Sequence, residues 1–353
     1  MPWANSERAL TLSVSFSIAA SVKFTLISVK KILVFRDNQN LYQRHYVLKL
    51  SHIQALVAIA ETGSIRAAAT RVGVTQPALS KSLQSLEEEL SVSLVSRTSR
   101  GVILTPFGQA MVTRGRGITK EVDRLREQIE QMRGDLQGTI NLAVSPSPSV
   151  ILLPKALGRF RQEYPKVQLH IREAVFPDTL QMLREGLADI ALGAHPQIRK
   201  SKQPEFLVER LYYNRLVVTG RVGHPKAGAK SLSELLDCDW LLHGPEEGPG
   251  SMYAPVFKAH QLLPPVPSIV SQSFITTLTL LEGSDSLSLL PERLIRKLID
   301  GRRLIMFPIR DLTPRLDVSM IVRANQPLTP VAQKLLQILR RTSPSNAELP
   351  EIV

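Results

Sequence analysis

Over the stretch 50–98 apolar residues recur at helical spacing and are cut by glycines. In 51–62, Ile53, Leu56, Val57, Ile59 and Ala60 share one helical face, and Gly63 stops the run. Ser64 can cap a second, alanine-rich helix over 65–72, which Gly73 ends. Thr75 can cap a third over 76–90, with Pro77 in the first turn, where a missing N–H costs nothing. Leu79, Leu83, Leu86 and Leu90 form its apolar face. Two short β-like runs then flank a basic turn at 97–101, the pattern of a hairpin. Thr105-Pro106 opens a long helix that runs to about Arg133. Along it Met111, Ile118, Val122, Leu125, Ile129 and Met132 keep the heptad-like spacing of a two-helix seam. Arg124, Arg126, Glu127 and Glu130 lie off that seam, and 134–138 is a glycine-flanked hinge.

From Thr139 the pattern changes to strands alternating with helices. Strands are predicted at 140–144, 167–172 and 189–192, with helices at 150–164 and 178–185. This βαβαβ order predicts a parallel sheet covered by helices on both faces. The alternation then repeats, with strands at 216–219, 240–242, 268–270, 287–290 and 317–322. Helices fall between and after them at 231–236, 251–261, 274–281, 292–299 and 330–341. Two such halves predict two subdomains with a cleft between them.

Residues 1–47 differ from both regions. Leu10, Leu12, Val14, Phe16 and Ile18 alternate with Ser or Thr, as in a half-buried strand. A secretory signal needs an early positive cluster and a continuous apolar core. Here Ser and Lys interrupt the core. The segment reads as a dispensable extension.

The chain has 353 residues, 43% of them hydrophobic, enough for about two domains with real cores. Its formal net charge is +13. That favours polyanionic partners, but the charge is spread along the chain: residues 48–134 carry 12 Lys and Arg against 8 Asp and Glu. The case for nucleic acid therefore rests on motifs. A single cysteine, Cys238, excludes an intramolecular disulfide and suits a reducing cytoplasm. With no cationic cluster beside it in sequence, it reads as an ordinary small side chain. No apolar run reaches the roughly 18 residues of a membrane span.

The stretch from Ser64 to Glu87 carries the clearest chemistry. Small alanines let two helices cross closely, and Gly73 makes the turn. The third helix then presents Thr75, Gln76, Ser80 and Lys81 at its N-terminal end, as a recognition helix does in a major groove. Gln pairs bidentately with adenine and Lys with guanine; Ser and Thr reach bases or phosphate. Arg97 and Arg100 in the hairpin suit phosphate contacts. The residues alone leave a second reading open, a plain three-helix core with solvated polar ends. Glu87–Glu89 reads as a solvated helix face.

The run 50–110 resembles the DNA-binding domain of LysR-type regulators. The resemblance is carried by Ala67-Ala68, by Val74-Thr75-Gln76-Pro77-Ala78-Leu79-Ser80, by Leu86-Glu87-Glu88-Glu89-Leu90, by Leu94 and Arg97, and by Leu104-Thr105-Pro106-Phe107-Gly108. It extends through the linker to about Arg341. Ser91 and Ser93 depart from it, standing where Gly and Pro are common. The resemblance implies an α+β multidomain chain: a winged helix-turn-helix at 48–106, a linker helix at 107–134, and a periplasmic-binding-protein-like effector domain at 138–342. The first subdomain of that domain is expected at about 138–210 and 313–342, the second at about 211–312, with a tail at 343–353. It also implies Ser64, Arg66, Thr75, Gln76, Pro77, Ser80, Lys81, Arg97 and Arg100 as DNA-contacting positions. The partners implied are double-stranded promoter DNA, a small effector, further copies of the chain as dimer or tetramer, and RNA polymerase. Within the family the effector domain looks closest to the branch of the toluenesulfonate and galactose-linked regulators.

In the α/β region, Ser145-Pro146-Ser147-Pro148-Ser149 lies between a strand end and a helix start. Ligands bind outside the carboxyl ends of parallel strands. His243 to Ser251 is a second such loop. Ser145, Ser147, Ser149, His243, Gly250, Ser251 and Phe274 are thus the candidate effector contacts. Hydroxyls, helix N–H groups and a protonatable His243 point to a small anion. Ser and Gly are equally routine as caps and turns. The seven histidines show no metal-ligand spacing, no phosphate loop occurs, and no nucleophile–base pair stands out, so neither metal, cofactor nor enzyme is expected. The alternative of a solute-binding protein is opposed by the helix-turn-helix and by the lack of a clean export signal.

Overall fold

A computed structural model describes residues 48–98, 101–195, 204–298, 303–311 and 315–344. The extension at 1–47 lies outside the described residues. The chain divides into two compact units, one ending at Gln109 and the other starting at Ala110.

In the first unit, α1 (Leu50–Thr62), α2 (Ile65–Val72) and α3 (Gln76–Leu90) follow the predicted boundaries closely. Gly63 and Gly73 end the first two in the left-handed region, at φ +66° and +74°. The Ser64 and Thr75 hydroxyls accept from the N–H groups of Ala67 and Ala78. Ile53, Leu56, Ile59, Leu79, Leu83 and Leu86 fill the core, and Ala68 and Ala69 sit where the helices cross. Leu90, expected in that core, is only half-buried.

The hairpin β1 (Val95–Thr98) and β2 (Gly101–Leu104) is antiparallel, with Thr98 opposite Gly101. Three contacts fix it. Val102 N–H donates to the Gly63 carbonyl at 3.1 Å. Gly101, at φ +129°, lies so close that a Cβ would stand 2.7 Å from that same oxygen. The Glu87 carboxylate accepts from the N–H groups of Leu94 at 2.6 Å and Val95 at 3.2 Å. Glu87 is therefore a strut between α3 and the hairpin, not part of a solvated face. Beyond the hairpin, the Thr105 hydroxyl donates to the Ser93 carbonyl and accepts from Gly108 N–H. Gly108 has no room for a side chain: a Cβ there would overlap the Leu94 carbonyl oxygen.

The long helix α4 (Pro106–Met132) follows, and Gly134 at φ +97° turns the chain out of it.

In the second unit, β3 (Gly138–Val144), β4 (Val167–Glu173) and β5 (Ile190–Ala194) form the expected parallel ladder. Helices α5 (Pro146–Ile151), α6 (Leu153–Glu163) and α7 (Asp178–Arg184) connect them. The single helix predicted at 150–164 is broken after Leu152, because Pro154 in the first turn of α6 has no N–H to continue the ladder.

The sheet is mixed, not parallel. Its order is β4-β3-β5-β12-β6, and β12 (Leu316–Arg323) runs antiparallel to both β5 and β6 (Phe206–Asn214). A strand returning from the other subdomain enters from the opposite end and needs no crossover helix. β6 was not predicted. Glu209 and Arg210 break its alternation, and its ladder to β12 shifts register at Val318/Ser319. It carries the first subdomain to Asn214 rather than to about 210.

In the second subdomain, β7 (Leu216–Arg221) pairs antiparallel with β10 (Ser288–Pro291) and with β11 (Leu304–Met306), a strand the pattern missed. β8 (Leu241–His243) and β9 (Ile269–Ser271) are parallel. The second half is thus no copy of the first. Short 3-10 turns at Leu232–Leu235 and Pro249–Met252 replace predicted α-helix. The remaining helices are α8 (Tyr253–Lys258), α9 (Phe274–Gly283), α10 (Glu292–Leu298) and α11 (Pro330–Thr342).

One core packs Leu335 and Leu339 of α11 against Ala156 and Phe160 of α6 over β3 and β5. The other gathers around Trp240, whose ring meets Tyr253 and Phe257 edge-on. Among the described residues no helix is long and apolar enough to cross a membrane, and no cluster of His, Cys, Asp and Glu could hold a metal.

Candidate functional site

The first candidate site is the end of α3. Thr75, Gln76 and Pro77 are exposed, as is Lys81 one turn on, and Ser80 is half-buried beside them. Core leucines on the opposite face and the Thr75 cap hold this end out to solvent. Arg66 is exposed on the first turn of α2, and Ser64 caps that helix. Arg97 lies on β1 opposite Val102. Arg100 lies outside the described residues.

The seam on α4 divides by exposure. Ile118, Leu125, Ile129 and Met132 are about half exposed or more, while Met111 and Val122 are half-buried. Other positions of the same helix bind the second unit. The Arg124 guanidinium meets Asp189 at 2.6 Å and the Gly186 carbonyl at 3.0 Å. Gln131 donates to the Gln137 carbonyl and accepts from Val331 N–H. Burial of Glu127 pushes its carboxyl above the usual range.

The second candidate site is a cavity of about 640 Å³ between the two subdomains. Of the predicted residues, Ser145, Ser147, His243, Ser251 and Phe274 line it. Ser149 and Gly250 do not. The Ser149 hydroxyl turns back to donate to the Ser145 carbonyl at 3.0 Å. Gly250 is buried, and a Cβ there would stand 2.8 Å from the Pro245 carbonyl oxygen. Its role is close backbone packing.

The expected N–H groups are mostly spent as well. Pro146, Pro148 and Pro249 have none. Ser149 N–H bonds the Ser145 carbonyl, Gly250 N–H that of Pro245, and Ser251 N–H that of Gly248. Ser147 is committed too: its hydroxyl bonds the Tyr212 phenol at 3.2 Å and accepts from Asn214 Nδ2 at 3.3 Å. Burial pushes that phenol up to about 12, so it stays protonated.

His243 is not cationic near neutrality, since burial pulls its pKa down to about 4. The Thr277 hydroxyl donates its one proton to the Ser273 carbonyl, so it accepts from His243 Nδ1–H at 3.2 Å. His243 therefore carries its lone pair on Nε2.

The sequence missed His195, Asn214, Met252, Leu294 and Arg315, all of which line the cavity. His195 is held neutral by burial, with a pKa lowered to about 4. Its Nδ1–H donates to the Gly193 carbonyl, and its Nε2 accepts from Thr179. Asn214, fully buried, accepts from the N–H groups of Arg215 and Arg293 and so ties β6 to α10. Glu292 beside it is also fully buried and bridges Arg215 at 2.7 Å and Arg296 at 2.8 Å. Burial pushes its carboxyl up, but the two guanidinium groups outweigh that and hold it below the usual range. Cys238 lies outside the cavity lining, and burial pushes its thiol up, away from reactivity.

The HTH-type transcriptional regulator TdcA of Escherichia coli K12 is 24% identical over 299 residues, spanning 84% of this chain and 94% of that protein. GbpR of Rhizobium radiobacter, also an HTH-type transcriptional regulator, is 27% identical over 243 residues, 68% of this chain and 80% of that one. Full-length OxyR from Pseudomonas aeruginosa superposes with a TM-score of 0.64 at 23% identity, covering 87% of this chain and all of that one. CbnR in complex with its target DNA superposes at 0.63 and 20% identity, covering 84% and 100%. At these identities the structural likeness speaks for the fold. The model of the bacterial regulatory helix-turn-helix protein, lysR family, matches residues 50–109. The model of the LysR substrate binding domain matches residues 133–344, more than half of the chain. The chain belongs to the LysR family of transcriptional regulators.

Proposed function

We propose that this chain reads promoter DNA with the N-terminal end of α3 and is switched by a small molecule in the cavity of the second unit. The observation that carries the first half is the exposed polar row Thr75, Gln76, Ser80 and Lys81 on a capped helix whose other face is core. Gln76 and Lys81 read base edges. Ser64, Arg66, Thr75, Pro77 and Ser80 seat the helix against the backbone and groove, and Arg97 and Arg100 in the wing bind phosphate. Two copies pair along Met111, Ile118, Val122, Leu125, Ile129 and Met132, which places two heads on two half-sites. Pairs associate further into tetramers, and RNA polymerase is the remaining partner. Ligand binding biases the closure of the two subdomains, and Arg124 and Gln131 pass that change to α4. Membership of the toluenesulfonate and galactose-linked branch is part of this reading and rests on sequence resemblance alone.

The test is a mobility shift of the DNA upstream of the chain's own reading frame. A discrete shifted band that resists competitor DNA is expected. Its protein is a dimer or a dimer of dimers by sedimentation, and Val122→Glu with Leu125→Lys abolishes it. Retarded DNA that disappears equally with any competitor would overturn the reading.

A further inference from the structure

The donor pattern of the cavity says which ligand chemistry it accepts, given that it is the effector site as proposed above. Among the described lining residues only Arg315 and Asp317 are charged. They are of opposite sign and both exposed. Arg315 lies with its guanidinium 4.7 Å from the centre of the Tyr213 ring, and Asp317 is 3.9 Å from Arg210. The interior holds no cation, because His195 and His243 are both neutral and Arg293 is turned away, donating to the Tyr213 carbonyl. Pro146, Ala194, Pro249, Phe274, Leu294 and Val318 supply most of the wall.

Three polar atoms remain for a ligand. The Ser251 hydroxyl is buried without a partner. The Ser145 hydroxyl lines the same space. His243 Nε2, opposite the Nδ1 bonded to Thr277, can only accept. An anionic group inside would leave water for a wall with two hydroxyl donors, no positive charge and one lone pair facing it. A hydroxyl or amide donor would satisfy His243 and leave no group unpaired.

We infer that the cavity takes an uncharged, largely apolar molecule that presents a hydroxyl or amide N–H to His243 Nε2 and Ser251 Oγ.

The experiment uses the full chain and matched probes that share one skeleton: benzyl alcohol and benzamide against benzoate, and cyclohexylmethanol against cyclohexanecarboxylate. Melting temperature and calorimetric affinity are measured for each. The neutral members are expected to raise the melting temperature and to bind at least tenfold more tightly than their carboxylate twins. His243→Phe, which keeps the ring and removes the acceptor, is expected to erase that preference. Ala194→Leu, or Met252→Trp should that variant misfold, is expected to abolish binding of every probe by filling the cavity. Tighter binding of the carboxylates, lost on filling the cavity, would keep the effector site and overturn its chemistry. Binding indifferent to the filling variants would overturn the site itself. No binding by any probe would overturn the inference.

Discussion

The DNA-reading head and the effector cavity are built in opposite ways. In the head, the proposed contact residues come from one stretch of under forty residues, and each is placed by its neighbours in sequence. A cap, a proline and a leucine face set α3, and Gly101, Glu87 and Gly108 lock the hairpin to it. The cavity draws on five separated segments, from Ser145 to Val318, across two subdomains. Local pattern therefore dictates the first site, and tertiary topology the second. The stabilising chemistry differs too: backbone fit in the head, buried polar bridges such as Glu292 between the subdomains.

If backbone fit governs the head, Gly108→Ala should produce the largest loss. A Cβ pressed into the Leu94 carbonyl must shift either α4 or the hairpin, at about 3 kcal/mol. Urea unfolding of the variant should show the head melting well before the second unit. A single unchanged transition would show that this approach can relax.

If buried bridges govern the second unit, Glu292→Gln should cost about 2 kcal/mol, because charge-assisted bonds to two arginines are lost. Its folded-state pKa is depressed, so its contribution is present above the ordinary glutamate value of about 4.3 and is lost as pH falls through the lower folded value. The variant should therefore be less stable than wild type at neutral pH, and the difference should shrink below about pH 4. Chemical denaturation across that range reads it. A constant gap from neutral to acid would contradict the bridge.

The smallest effect should be a gain. Ser91 ends α3 at φ +55°, a conformation that costs a residue with a Cβ about 1 kcal/mol. Ser91→Gly should recover about that much in the head alone. No gain would mean that the Ser91 hydroxyl offsets the strain.

The contrast also explains what could be read in advance. Helices α1 to α4 and the hairpin follow from periodicity and caps such as Ser64 and Thr75. Glu87 was misread, because its partners, Leu94 and Val95 N–H, come together only when the chain folds back. In the second unit the parallel strands β3, β4 and β5 were legible, but the antiparallel return of β12 was not. That return depends on where a distant segment re-enters the sheet. Ser145 and His243 were found because they end strands. Asn214 sits at the end of the unpredicted β6, and Arg315 stands before β12 with no motif around it. The expected anion chemistry failed for a local reason, since three prolines and three internal turns consume the N–H groups it required.

The central claim is that the end of α3 reads base sequence. The most direct measurement is selection of binding sites from random DNA by the wild-type chain and by Gln76→Ala, with affinities taken at several salt concentrations. The wild type should select two related half-sites. Gln76→Ala should lose preference at one position in each, worth about 1–3 kcal/mol, with the salt dependence unchanged. An identical selected sequence from both proteins would contradict the account.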